Sequence, residues 1–129
     1  MFIGGGNAHQ DVQGSKRFSE SYGLALEISR ATRKFPTQEQ FELARQLLRA
    51  ARSIPANIVE GWAKRSAAAE FKRYLQIAIG SCDECKLWLE MSRDEGILSA
   101  EECSLLANKF NVVGAMLKSL WKQWKNFQV

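Results

Sequence analysis

The sequence predicts an all-α protein, an up-down-up-down four-helix bundle. Apolar residues recur at spacings of three and four along most of the chain. Two helix-start signatures, Thr37 with Gln40 and Ser99 with Glu102, divide the periodic stretches. The connections between those stretches are short, which favours antiparallel neighbours. At 129 residues the chain is read as one structural domain, long enough to bury a core without metal or disulfide support.

Residues 1–16 hold a Gly4-Gly5-Gly6 run and few apolar positions, and are expected to form a flexible arm ahead of a bundle at 17–129. The first helix is predicted over Arg17 to Lys34, with Leu24, Ile28, Ala31 and Phe35 on one stripe, widened by Phe18, Tyr22 and Ala25, and Pro36 ends it. The second starts from the Thr37/Gln40 box and runs to about Arg65 along Phe41, Ala44, Leu48, Ala51, Pro55, Ile58 and Trp62. Pro55 lacks the N–H that would pair with the carbonyl four residues back, so this helix should kink near Pro55 or restart there, with Ser53 capping a restart. Ser66 is expected to cap a third helix, with Phe71, Tyr74, Leu75, Ala78, Cys82, Cys85 and Leu89 on one face, stopped by Gly96. The Ser99/Glu102 box opens the fourth, where Leu106, Phe110, Val113, Leu117, Leu120, Trp124 and Phe127 alternate spacings of four and three like a coiled-coil seam. The first helix is too short to cover its neighbours, so apolar surface is expected to remain for a second copy, and a homo-oligomer is predicted.

No apolar run approaches the roughly 20 residues of a membrane span, and Met1-Phe2-Ile3 lacks the apolar core of a signal peptide. A cytoplasmic protein without a membrane partner is expected. Cys82, Cys85 and Cys103 are odd in number and suit buried or free thiols in a reducing compartment. Cys82 and Cys85 form a CxxC inside a predicted helix, but only Cys103 and the distant His9 remain to complete a zinc site, so no metal is expected. ExxH pairs, a P-loop, GxSxG and HExxH are absent. Without a histidine in the predicted core, acid–base catalysis has few players; no catalytic residue, cofactor or enzymatic activity is assigned.

Charge is uneven. Arg30 to Arg73 carries ten Lys/Arg against four Asp/Glu, whereas Ser81 to Leu105 carries seven acids against two bases. Such polarity serves either an anionic partner or complementarity between copies, the plain alternative being a solvated surface. Arg45, Arg49 and Arg52 share a stripe of the second helix, and Lys64, Arg65, Lys72 and Arg73 flank the turn into the third. These seven are the candidate nucleic-acid contacts, for RNA or DNA, because arginine forks match phosphate geometry; pairing with acids of a neighbouring helix is the structural alternative. Ser53, Asn57, Glu60 and Lys64 form a polar stripe beside Pro55. Contact with a ligand is one reading of Asn57 and Glu60; the favoured one is that they satisfy backbone groups freed by Pro55, or that Glu60 pairs with an arginine such as Arg49. Lys118, Lys122 and Lys125 interleave with Trp121, Trp124 and Phe127, a pattern suited to stacking on bases or resting on an anionic membrane, although the heptad explains Trp124 and Phe127 as core and leaves only Trp121 in need of a partner surface.

Phe35-Pro36, Gln46 with Arg49 and Ala50, Ser53-Ile54-Pro55-Ala56-Asn57-Ile58 followed by Glu60-Gly61, and Phe71 with Gly80-Ser81 and Glu84 together carry a resemblance. From about Arg17 to Trp124 the chain resembles the small bacterial four-helix-bundle proteins encoded by intervening sequences of large-subunit ribosomal RNA genes. Related to these are the accessory variability determinants of diversity-generating retroelements, which look like basic five-membered rings that bind nucleic acid and a reverse transcriptase. The resemblance implies a homopentameric barrel with a basic surface and no catalytic residues, in which Ser53, Pro55, Asn57, Glu60 and Gly61 belong to a structural motif. Two features depart from the pattern: the Gly-containing arm, and Cys85 where leucine usually follows Glu84.

Overall fold

The structure, a computed structural model, describes residues 16–124. Four helices follow one another: α1 Lys16–Thr32, α2 Gln38–Ala63, α3 Ala68–Asp94 and α4 Ala100–Gln123. Each packs on the next and α4 closes on α1, and among the described residues no diagonal pair brings its backbones together, which is the square, antiparallel arrangement expected. The α2–α3 seam is the most extensive and the α1–α4 seam the sparsest. The short α1, which spans about 26 Å against about 40 Å for α2 and α3, limits both of its seams, and it packs more extensively on α2 than on α4. Of the predicted arm, only Lys16 lies within the described residues, where it opens α1; His9, Lys125 and Phe127 lie outside them.

The helix ends follow their local chemistry. The regular α1 stops two residues earlier than predicted, because Lys34 and Phe35 donate three residues back, to Ala31 O at 3.2 Å and Thr32 O at 3.1 Å, ahead of Pro36. Thr37 caps α2 by accepting from Gln40 N at 3.3 Å, but the box is half made: Gln40 Oε1 is buried without a partner. The helix then runs uninterrupted through Pro55, so the predicted restart does not occur and Ser53 is no cap. Ser66 is not the N-cap of α3 either. Turn bonds from Lys64 N to Gly61 O, Arg65 N to Trp62 O and Ala67 N to Lys64 O carry the chain one residue further, and Ala67 caps α3 with its backbone alone. Beyond α3, Gly96 turns the chain at φ 79, a left-handed conformation that glycine adopts without steric cost. Both bonds of the Ser99/Glu102 capping box are present at 3.0 and 3.1 Å.

One continuous core fills the bundle, with Ile28, Leu47, Ile54, Phe71, Leu75, Leu89, Phe110 and Leu117 among its most buried members. The seam of α4 buries Leu106, Phe110, Val113 and Leu117, while Leu120 and Trp124 are half-buried at its end. Two stripe residues are corrected: Phe41 is 55% exposed and Tyr22 42%. Because α2 is flanked by both α1 and α3, it buries a broad face that includes Leu43, Leu47, Ala50 and Ile54, and this wider set rotates Phe41 outward.

Candidate nucleic-acid interface

The α2–α3 turn is built on a glycine. A Cβ placed on Gly61 would lie 2.8 Å from Tyr74 Cβ and 3.3 Å from Phe71 Cδ1, so its bare backbone lets the two helices meet at the turn. Trp62 follows immediately and packs edge-on against Phe71 (ring centroids 6.0 Å apart) and Trp124 (6.1 Å), while Phe71 and Trp124 are 4.4 Å apart. This aromatic cluster joins the end of α4 to the α2–α3 turn.

Cations surround it. Lys64 Nζ lies 5.4 Å and Arg73 Cζ 4.7 Å from the Tyr74 ring centre, Arg65 Cζ 4.4 Å from Trp62, and Lys72 Nζ 4.5 Å from Trp121. Arg65 Nη1 also donates to Trp62 O at 2.9 Å. Two carboxylates are present: Glu60 accepts from Lys64 at 2.7 Å and Glu70 from Arg73 at 3.3 Å. Those hydrogen bonds raise the pKa of Lys64 and of Arg73, keeping both charged. Lys72, Lys118 and Lys122 have no carboxylate within ion-pair distance among the described residues.

Folding redistributes the charge that the sequence carries in runs. The α2–α3 turn brings Lys64, Arg65, Lys72 and Arg73 against Glu60 and Glu70; the start of α1 adds Lys16 and Arg17 against Glu20, and the end of α4 adds Lys118 and Lys122. Among the described residues this end of the bundle therefore holds eight bases and three acids, a net +5. At the opposite end, Arg30, Arg33 and Lys34 of the basic run sit with Glu39 and Glu42 and with the acidic α3–α4 turn, where Arg93 stands against Glu90, Asp94, Glu95, Glu101 and Glu102, for a net −3. The long basic run is thus split between two ends, and only one of them keeps its excess.

The arginine stripe of α2 lies between the ends and is partly neutralised. Arg45 pairs loosely with Glu42 at 3.7 Å, and Arg49 donates to Glu84 at 2.7 Å and to Gln46 at 3.0 Å. Glu84 also accepts from Trp88 Nε1 at 3.0 Å, and its bond to Arg49 ties α2 to α3. Arg52 makes no ion pair among the described residues and lines a shallow groove with Arg45, Arg49 and Ser53.

The polar stripe beside Pro55 has partners other than those expected. Pro55 frees the carbonyl of Ala51, yet Asn57 Nδ2 donates to Ser53 O at 2.7 Å, because a side chain reaches its own i−4 carbonyl more readily. Glu60 pairs with Lys64 one turn on rather than with Arg49, whose reach is taken by Glu84. Ser53 Oγ hydrogen-bonds Ala50 O at 2.9 Å and Ser81 Oγ at 2.5 Å, a polar bridge across the α2–α3 seam. Ser53 and Gly61 thus both serve the close packing of α2 on α3.

All three thiols are buried and free. Burial pushes the Cys82 thiol up to about 12 and Cys85 up as well, and Cys103 Sγ donates to Leu89 O at 3.5 Å. Among the described residues no group of three or more His, Cys, Asp or Glu is placed to hold a metal ion, and no helix is long and apolar enough to cross a membrane.

The sequence brought Lys64, Arg65, Lys72 and Arg73 forward as a flank of the turn, and the structure gathers them at one end. It missed the pairing of Lys72 with Trp121 and of Tyr74 with Lys64 and Arg73. Trp121 falls outside the apolar heptad, which marked it as needing another surface; nothing in the spacing connects α4 to that turn.

A search among curated proteins gave no match. Among solved structures, the chain is similar to a protein of unknown function from the S23 ribosomal protein family of Bacteroides thetaiotaomicron, known from a crystal structure at 1.70 Å resolution. The two share 26% identity and a TM-score of 0.76 over 83% of this chain and 99% of that one. The family model of the 23S rRNA-intervening sequence protein matches residues 15–119, the whole of the bundle apart from the end of α4. A match of that extent, on a four-helix chain with this packing, means that the protein belongs to the 23S rRNA-intervening sequence protein family.

Proposed function

We propose that the protein is a non-enzymatic, cytoplasmic nucleic-acid-binding factor that accompanies a ribonucleoprotein, and that its binding surface is the basic end of the bundle. The observation that carries this reading is the net +5 gathered at the α2–α3 turn, the start of α1 and the end of α4, where Lys72, Lys118 and Lys122 have no carboxylate partner among the described residues. Arg45, Arg49 and Arg52 extend the surface along α2 in a secondary role, since two of the three already pair with carboxylates.

A homo-oligomer, in the form of the five-membered ring implied by resemblance, is part of the same proposal. Exposed Tyr22 and Leu26 border a largely apolar groove with Pro55 and Val59 between α1 and α2, a surface suited to a second copy. A ring would multiply the basic ends, and a reverse transcriptase is the protein partner that the retroelement relatives suggest. If the charge polarity served self-assembly alone, salt would dissociate the oligomer without a nucleic acid being bound.

Fluorescence anisotropy with labelled structured RNA, single-stranded DNA and duplex DNA at two salt concentrations tests the reading, on protein whose mass is defined by light scattering. With about four phosphates neutralised, log affinity should fall with log salt at a slope of about −3 on a single strand. Failure to bind any of the three at low salt would refute it.

A further inference from the structure

We propose that the basic end is a site for single-stranded nucleic acid, in which bases stack against a surface of interleaved cations and rings; this rests on the nucleic-acid reading above. Every cation–π contact among the described residues falls at this end, on Trp62, Tyr74 and Trp121. Each of the three rings is half-buried, so part of it faces water. The four cations held over them are Lys64, Arg65, Lys72 and Arg73, and none sits in the interior.

The arrangement fits a single strand better than a duplex. A flexible strand presents phosphates and unpaired base faces side by side, and both find a partner here: ammonium and guanidinium groups for the phosphates, indole, phenol and guanidinium surfaces for the bases. A duplex stacks its bases on one another and would offer this surface its phosphates and groove edges but no base faces. Each cation is already steadied by its ring, and Arg65 additionally by Trp62 O at 2.9 Å, so less side-chain freedom is lost when a phosphate arrives. Stacking tolerates any base, so the site would favour single strands over duplex without reading sequence.

The test compares three probes on the full chain at about 0.1 M salt: an oligothymidylate of about 12 nucleotides, an abasic strand with the same number of phosphates, and a duplex of equal length. Binding is followed by anisotropy and by tryptophan emission. The oligothymidylate is expected to bind about tenfold or more tightly than either other probe and to quench tryptophan emission. Lys72→Ala and Tyr74→Leu should each lower its affinity about fivefold or more, with the abasic strand affected by Lys72→Ala and little by Tyr74→Leu. Equal affinity for the abasic strand and the oligothymidylate, or preference for the duplex, would overturn the stacking site and leave the broader nucleic-acid reading standing. Absence of binding to all three would overturn the stacking site, and the broader reading would then be decided by the structured RNA probe. Should Tyr74→Leu fail to fold, the comparison of probes on the unaltered chain still decides.

Discussion

Replacing Gly61 by alanine pits two opposing effects against each other, and the structure says which wins. In an exposed helix interior, Gly→Ala stabilises by about 1 kcal/mol, because glycine loses more backbone freedom on folding. At Gly61 the new methyl would stand 2.8 Å from Tyr74 Cβ and 3.5 Å from Phe71 O. Carbon atoms in contact rest about 3.5–4.0 Å apart, so something must move by roughly 0.7–1.2 Å. The obstacle is a Cβ fixed to the backbone of α3 rather than the tip of a flexible side chain, so the helices themselves must part. Overpacking of this kind costs about 1–3 kcal/mol. The net expectation is a loss of up to about 2 kcal/mol, lowering Tm by up to about 10 °C for a chain of this size. Gly23 is the control: it lies in α1, and a methyl carbon added there would meet nothing within 4 Å, so Gly23→Ala should raise Tm by a few degrees. Thermal melts followed by circular dichroism on both variants measure the difference. If Gly61→Ala melts as high as Gly23→Ala, the close approach of α2 and α3 is not what glycine provides there.

The thiols give a second test. Because folding raises the Cys82 pKa from 9.0 to about 12 and raises Cys85 too, the folded state holds protons that the unfolded chain releases. Their contribution is complete below about pH 9 and is lost as pH climbs toward 12, so urea midpoints should fall across that window, and less so for Cys82→Ala/Cys85→Ala. At pH 8 a thiol reagent should label none of the three buried cysteines until the chain unfolds. Ser99→Ala removes the reciprocal cap of α4 and should cost about 1 kcal/mol, read from the urea midpoint. Arg49→Ala, which opens a pair whose arginine side chain is 61% exposed, should cost less than about 1 kcal/mol and alter the salt dependence of binding less than Lys72→Ala does. Sedimentation of the Tyr22→Lys/Leu26→Lys variant should show a smaller particle than the unaltered protein if the α1–α2 groove receives a second copy.

The fold was legible because periodicity, capping boxes and short turns all agreed, and tertiary packing respected them. Phe41 and Tyr22 escaped because a helix with two flanking neighbours buries more than one stripe, and single-stripe reading chooses the wrong edge. Ser66 was a reasonable cap by residue type, yet the turn bonds after Gly61 set the register, and these depend on where α3 can dock. The site was only half visible. Basic residues near a turn can be counted in sequence, but whether a run of charge stays together depends on which way each helix points. Arg30 and Lys72 belong to one run and lie at opposite ends of the bundle. Trp121 could be seen to lack a place, and only the closing of α4 on the α2–α3 turn supplied Lys72 as its neighbour.

A bundle with +5 at one end and −3 about 40 Å away is a molecular dipole as well as a cation. In the field of any polyanion it experiences a torque before contact, turning the α2–α3 turn forward and the α3–α4 turn away. Encounters are thereby sorted by orientation at long range, at a rate that salt should slow. A molecule that lands on its end also occupies only the width of two helices, about 20–24 Å, of the polymer it meets, rather than the full length of α3. On the proposed nucleic-acid reading, neighbouring copies would stand side by side along a strand with their acidic ends raised, where mutual repulsion would set how densely they crowd.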